Sequence, residues 1–317
     1  MQNNDKPNDL CALSSNYLKD LSLHFSKKKY DFLVISGDRY EIFVTAYVAT
    51  LHKIPIIHLF GGDETIGSYD NQFRHSISKM SHIHFVSHVS SKNRLIKMGE
   101  NPNSIFNIGN LSLDNIKSKP FLSKKQLENK YNIKFKQKNF LVTFHTETLS
   151  KDKPISHLKK IFKALSKFKN YSFIFTSSNN DEGGNKINKH IPRYIKKNTN
   201  TYYVKSFGQK NYFNILRYLD GVIGNSSSGI YEVPSFKIPT INLGTRQKGR
   251  IFAKSILNYQ ITTKNIILAI KKALSVKFKN SIKNVNNPYY KKNSRKKIIS
   301  NILNLKIKDA TEKKFYE

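Results

Sequence analysis

Acidic residues stand where two short apolar runs end. VISGDRYE runs out at Asp38, and IPIIHLFGGDET runs out at Asp63 and Glu64. At the carboxyl end of a buried strand, a carboxylate either caps the following helix or faces a ligand as a general acid or base. One acid in such a place reads most simply as a cap, whereas several at successive strand ends favour a ligand crevice. Asp70 and Arg74 follow on the next helical pattern, spaced for a surface salt bridge or for orienting a substrate. A second chemistry is written in GNSSSGIYEVPSFKIP, from Gly224 to Pro239. A strand running into small hydroxyl residues and a glycine, then into a helical segment, aims backbone N–H groups and serine hydroxyls at an anion. Glu232 lies a turn or two further on, where a carboxylate can accept from ribose hydroxyls, and GTRQKGR adds Arg246, Lys248 and Arg250. Loop and cations together read as a diphosphate cradle. His145 ends the apolar run FLVTFH, placed to donate to a phosphate or shuttle a proton. His58, His82, His84 and His88 read as structural, since no pair has a firm metal-site spacing.

The elements that must position these residues alternate in type. YDFLVIS, IPIIHLFGG, HIHFVSH and IFNIGN read as strands, separated by the helical patterns YEIFVTAYVATLHK, DNQFRHSISKMS and SSKNRLIKMGE, the last stopped by Gly99. After a Lys/Ser-rich connection reaching about Asn132 the pattern restarts. Strands in KNFLVTFH, YSFIFTSS, TYYVKSF, GVIGN and IPTINLG enclose helices in SHLKKIFKALSKF, NKINKHIPRYIKK and KNYFNILRYLD. Such alternation predicts parallel sheets joined by right-handed crossovers, an α/β fold of two Rossmann-like domains over 1–120 and 121–270. Two amphipathic helices in the tail, 271–317, are expected to pack back across the domains, and the strand-end acids to face the cleft between them.

Composition agrees with that reading. At 317 residues, 38% hydrophobic and 24% charged, the chain fits two ordinary domains and is not a disordered composition. No apolar run approaches a membrane span, the start MQNNDKPNDL has no signal-peptide pattern, and the single Cys11 leaves no internal disulfide. A reducing cytoplasm is the expected home. The net charge of +34 is carried by scattered lysines, which keep company with Asn and Ile as A/T-heavy codons dictate. A nucleic-acid protein concentrates Arg and aromatics in one stripe, so neither nucleic acid nor membrane is expected as a partner. The field still draws phosphorylated small molecules.

GDRYE, IPIIHLFGGDETIGSYDNQFRHSISKMSH, GENPNSIFNIGNLSLDNI, LVTFH and GNSSSGIYEVPSFKIPTINLGTRQKGR together resemble the UDP-N-acetylglucosamine 2-epimerase family. The resemblance runs from about Leu18 to the tail and is closest to the hydrolysing branch, which forms N-acetylmannosamine for sialic-type sugars. It implies a glycosyltransferase-B-like fold with UDP held mainly by the second domain, a UDP-sugar as substrate, a homo-oligomer, and no cofactor or metal. Asp38 and Arg39 match the family's Gly-Asp-Arg motif, and Asp63, beside Glu64, stands where the family usually has the Glu of GGE. Asp70, Arg74 and His75 match the helix that contacts the sugar, and His145 the second-domain histidine. Asn179 and Asp181 match a loop near uracil or ribose. Ser226, Ser227, Ser228, Gly229 and Glu232 match the phosphate and ribose contacts, and Arg246 the arginine after the next strand. The resemblance thus makes Asp38, Asp63, Asp70 and His145 the catalytic candidates, with the others binding substrate.

The chemistry explains the residue types. The C2–H of the sugar is not beside a carbonyl, so direct deprotonation at neutral pH is out of reach. If UDP leaves first, C1 becomes cationic and the C2 proton acidic, which calls for donors on the departing diphosphate. A carboxylate removes the C2 proton to give a glycal; water then adds at C1 while an acid on the other face returns a proton to C2. Departures from the family pattern bear on turnover. Family members open with a further strand and a G-T-R-x-[DE]-like loop, so the first domain is expected to lack its initial strand–helix unit. NPYY lacks the usual following glycine, and Asp63 is one methylene shorter than Glu. The alternatives are the same chemistry on a 2,4-diacetamido-2,4,6-trideoxy UDP-sugar, and an inactive UDP-sugar-binding or glycosyltransferase-like remnant.

Overall fold

The computed structural model describes residues 10–65, 70–116, 121–147, 154–179, 183–196, 198–305 and 313–317. By its contacts the chain divides into a unit made of Met1–Glu64, Tyr69–Leu111 and Lys291–Glu317, and a unit made of Thr65–Ser68 and Ser112–Tyr290.

The first unit runs α1 (Leu10–Ser26), β1 (Leu33–Ser36), α2 (Tyr40–Leu51), β2 (Ile56–Leu59), α3 (Asp70–Met80), β3 (Ile83–Val86), α4 (Val89–Lys97) and β4 (Ile105–Asn107). Its four strands pair in parallel in the order β1-β2-β3-β4. Strand alternation sends Ile56 to one face and Ile57 to the other. Ile56 packs with Ile35, Val44, Ala46, Val48 and Ile77, so the small residues of α2 let that helix lie close on the sheet. Ile57 packs with Phe85, Ile108 and Ile298, the last from the helix Ser294–Leu303. Each fully buried Ile or Phe contributes about 1.5–3 kcal/mol against its exposed state. The YDFLVIS run yields a strand only from Leu33. β1 alternates exposed and buried residues (Val34 and Ser36 exposed, Ile35 buried), unlike the more fully buried β2 and β3. The buried Glu100 and His84 gather two lysines into a charge cluster. Glu100 meets Lys79 at 2.8 Å, Lys313 at 2.7 Å and His84 Nε2 at 3.0 Å.

The second unit runs α5 (Lys124–Tyr131), β5 (Lys138–Thr143), α6 (Pro154–Leu165), β6 (Tyr171–Thr176), α7 (Gly184–Ile195), β7 (Thr201–Val204), α8 (Gly208–Leu216), β8 (Gly221–Gly224), α9 (Ser228–Tyr231), β9 (Thr240–Leu243), β10 (Ile256–Tyr259), α10 (Thr263–Leu274) and α11 (Val276–Ile282). Six parallel strands lie in the order β10-β9-β8-β5-β6-β7. The chain therefore starts at the centre, builds one way to β7, returns, and builds the other way from β8. Phe140 and Val142 of β5 enter one core with Phe173 and Phe175, while Leu141 enters the other with Ile174 and Val222. The sequence did not announce α1, whose helix stands ahead of β1 where an initial strand–helix unit was expected to be missing, nor three elements of the second unit. Those three are α5, held by a Ser123–Gln126 capping box within the Lys-rich connection, β10, and α11, which follows α10 after a single Ser275 cap. Among the described residues no helix is long and apolar enough to cross a membrane.

Candidate active site

In the second unit the direction of winding reverses between β5 and β8, and their carboxyl ends form the crevice where open α/β sheets take ligands. The two ends are stitched together by Asn225, which is fully buried. Its Oδ1 accepts from His145 N at 2.7 Å, and its Nδ2 donates to His145 O at 2.9 Å. Gly224 has φ +135, and a Cβ there would overlap the Thr143 carbonyl, so glycine is required for the close approach. The Asn225 carbonyl in turn accepts from Gln247 Nε2 at 2.7 Å and from Arg246 Nη1 at 3.4 Å. Glu147 Oε1 accepts from Thr245 N and Arg246 N at 2.6 and 2.8 Å, fixing the arginine loop. Sequence reasoning passed over Asn225, Gln247 and Glu147. Asn225 lies inside the quoted GNSSSG, and its signal was a buried amide directly after a strand glycine.

His145 is held in one tautomer. Its Nδ1 accepts from Asn179 N at 3.0 Å, so Nε2 carries the proton. Burial, helped by the Arg246 charge, pushes this imidazole down to about 3. This geometry leaves the His145 Nε2–H as a hydrogen-bond donor. A cavity of ≈ 380 Å³ opens beside it, lined among others by Thr176, Lys205, Phe207, Tyr212, Ser226 and Glu232. Glu232 Oε1 accepts from Ser112 Oγ at 2.9 Å, while Oε2 is buried with no hydrogen-bond partner. Burial pushes its carboxyl up to about 7, against the opposing effects of Ser112 and Arg250. Burial also raises the Tyr212 phenol, which shares a short hydrogen bond with Ser228 Oγ.

The serine turn differs in one respect from the expectation of a helix end facing an anion. α9 has only 4 residues, so its dipole is small. Gly229 N and Ile230 N are already bonded to Ser226 O and Ser227 O at 3.1 and 3.0 Å. Gly229 itself is buried against Thr240, whose Cγ2 a Cβ would meet at 2.8 Å, so it serves packing. Ser226, Ser227 and Ser228 remain half-buried. Asp181 lies outside the described residues.

In the first unit one arginine organises the acidic loops. Arg74, 2% exposed, pairs with Asp38 and donates to Asp63 O at 3.0 Å and Asn71 Oδ1 at 2.6 Å. The Asp38 side chain is 25% exposed. The Asp63 carboxylate is buried and accepts from Ser87 Oγ at 2.8 Å and from Ser91 Oγ. Glu64 pairs with Arg94 at 3.0 Å and Arg39 with Glu41 at 3.1 Å, the latter an exposed pair worth at most about 1 kcal/mol. Asp70 opens α3, half-buried, and His75 follows on the same helix with Nδ1 buried and unpartnered. Burial, then Arg74 and Arg94, lowers the His75 imidazole. The unit thus brings Asp38, Asp63 and Arg74 into one network. Among the described residues no three His, Cys, Asp or Glu gather as a metal ion would require.

Comparison with known proteins bears on this geometry. Residues 1–303 match the family described as UDP-N-acetylglucosamine 2-epimerase. The polysialic acid biosynthesis protein P7 of Escherichia coli is 40% identical over 92% of this chain and 75% of its own. The GDP/UDP-N,N'-diacetylbacillosamine 2-epimerase (hydrolyzing) of Campylobacter jejuni is 41% identical over 87% of this chain and 72% of its own. In structure, UDP-GlcNAc 2-epimerase from Neisseria meningitidis, solved bound to UDP-GlcNAc, aligns with a TM-score of 0.78 at 21% identity. That alignment covers 96% of this chain and 83% of the other, and it establishes the glycosyltransferase-B-like fold. The family match and these two relatives settle the membership: the chain belongs to the UDP-N-acetylglucosamine 2-epimerase family.

Proposed function

We propose that the chain hydrolyses UDP-N-acetylglucosamine to UDP and N-acetylmannosamine by way of a glycal, a step towards sialic-type nonulosonic acids. The observation that carries this reading is the cavity at the β5–β8 switch point, which is lined by a neutral His145 donor, Ser226, Ser228 and Glu232 with its unsatisfied oxygen, while Arg246 is tied to the adjoining Asn225 carbonyl. Glu232 Oε2 suits a ribose hydroxyl, and the donors suit a departing diphosphate. The C1–O bond breaks with its electron pair leaving on UDP. A carboxylate takes the C2 proton, giving the glycal. Water then adds its hydroxyl at C1 and a second acid returns a proton to C2 from the opposite face. Asp38 and Asp70 fit those two roles in our reading. Asp63, whose carboxylate already accepts from two serine hydroxyls, fits the role of shaping the loop.

A second reading keeps the chemistry and changes the sugar to a 2,4-diacetamido-2,4,6-trideoxy hexose; the C. jejuni relative's name favours it. Enzyme-coupled detection of UDP release, run side by side on both nucleotide sugars in deuterated water, tests both. Turnover with deuterium at C2 of the product supports the mechanism, and the faster substrate decides between the sugars. Calorimetric binding of UDP without release from either sugar would leave a binding remnant and refute the enzymatic reading.

A further inference from the structure

His58 sits in β2 of the first unit, fully buried, and its ring bonds on both sides. Nε2 lies 2.9 Å from Gly37 O and Nδ1 lies 3.1 Å from Ser78 Oγ. A carbonyl only accepts, so Nε2 carries the proton and the Ser78 hydroxyl donates to Nδ1. Burial pushes the imidazole down to about 3, and the nearby His84, Lys313 and His75 push it the same way. The ring is therefore neutral with its tautomer fixed by two directed bonds.

Both partners lead to Asp38. Gly37 is the residue before it, with φ +96 and no atom within 4 Å of where a Cβ would stand. Its peptide is tied by Gly37 N donating to Leu59 O at 3.3 Å and by the His58 bond to its carbonyl. On the other side, Ser78, whose one hydroxyl proton goes to Nδ1, stands one turn after Arg74 on α3, and the Arg74 guanidinium pairs with Asp38. One imidazole thus links the backbone that presents the carboxylate to the helix that carries its counter-ion. We infer that His58 is a positioning residue for Asp38, acting through the Gly37 carbonyl and Ser78. This rests on Asp38 being an acid/base group in the proposed reaction.

The test compares His58→Leu with His58→Gln in the full chain, with UDP release as the assay and UDP affinity measured separately. A misplaced acid/base group lowers turnover by about 100-fold, while KM and UDP affinity stay within about threefold. Glutamine, whose amide can donate to Gly37 O, recovers at least about tenfold of that loss. A folded His58→Leu variant that turns over within about threefold of the parent, or a glutamine variant as impaired as leucine, overturns the inference. Nitrogen-15 NMR of the unmutated protein judges the same bond without any activity or variant. The neutral Nε2–H form should persist from about pH 5 to about pH 9, and an Nδ1–H tautomer or a titration in that range overturns the inference. Asp38→Asn separates the two ideas: full turnover by that variant sinks the acid/base reading of Asp38, while the NMR result still stands on its own.

Discussion

Glu232→Gln should stabilise the second unit at alkaline pH and weaken nucleoside binding at the same time. The carboxyl is buried, which raises it from 4.5 to about 7. Between those values the unfolded chain has released its proton and the folded chain has not, so stability declines as pH climbs through the window. At roughly 1.4 kcal/mol per unit, the loss amounts to about 3 kcal/mol by pH 8. Glutamine has the same shape and does not ionise, so it escapes that loss. For a unit of this size the variant should melt roughly 5–10 °C above the parent at pH 8 and level with it near pH 4. Subtracting the two melting curves cancels every other titrating group. Binding should move the other way. At pH 8, where the folded carboxyl has ionised, ribose hydroxyls that donate to Oε2 meet a charged acceptor; losing it costs about 1.5–3 kcal/mol, so uridine binds at least about tenfold more weakly at that pH. Uridine is the better probe because it has no phosphate to titrate. Parent and variant melting curves that run parallel from pH 4 to pH 8 would refute the burial argument. Unchanged uridine affinity would refute the ribose contact.

Two other substitutions follow from the first unit. Gly61→Ala would bring a Cβ to 2.7 Å from His58 Nδ1 and 2.8 Å from Ser78 Oγ, both fixed by hydrogen bonds. It should cost about 1–3 kcal/mol in denaturant melts and lower turnover together with stability, and an unchanged midpoint would contradict the packing. Glu100 is pushed up by burial, but hydrogen bonds from His84, Lys313 and Lys79 outweigh this and hold it at about 2. Its stabilisation is complete above pH 4.5 and lost as pH falls towards 2, so Glu100→Gln should flatten the acid limb of the stability curve; equal acid limbs would argue against the cluster.

The fold was legible wherever burial wrote a run of apolar residues. β5 and β6 are buried on both faces, so Phe140–Val142 and Phe173–Phe175 read as strands with no help from neighbours. α5 was hidden because its only fully packed side chain is Leu127; its capping box, not its periodicity, marks it. β10 was hidden because half of its four residues escape burial, leaving no alternation to count.

The candidate site divides differently. The candidate residues could be picked out by type, because several carboxylates at successive strand ends and a Gly/Ser turn after a strand favour a ligand crevice. Their states could not be read, since each is set by a partner remote in sequence. Asp63 looked like a free acid beside a glycine pair, yet Ser87 and Ser91 occupy its carboxylate from the far side of β3. His145 could be read as a phosphate donor or as a proton shuttle, and the Asn179 amide 34 positions away is what puts its proton on Nε2. Arg74 was spaced for an i,i+4 pair with Asp70, and its guanidinium also reaches Asp38 across 36 positions. Protonation follows from what a side chain touches, and a parallel sheet brings together strand ends that crossovers separate in sequence. In such folds, local spacing therefore identifies the groups, and only the pairing of strands decides which of them can move a proton.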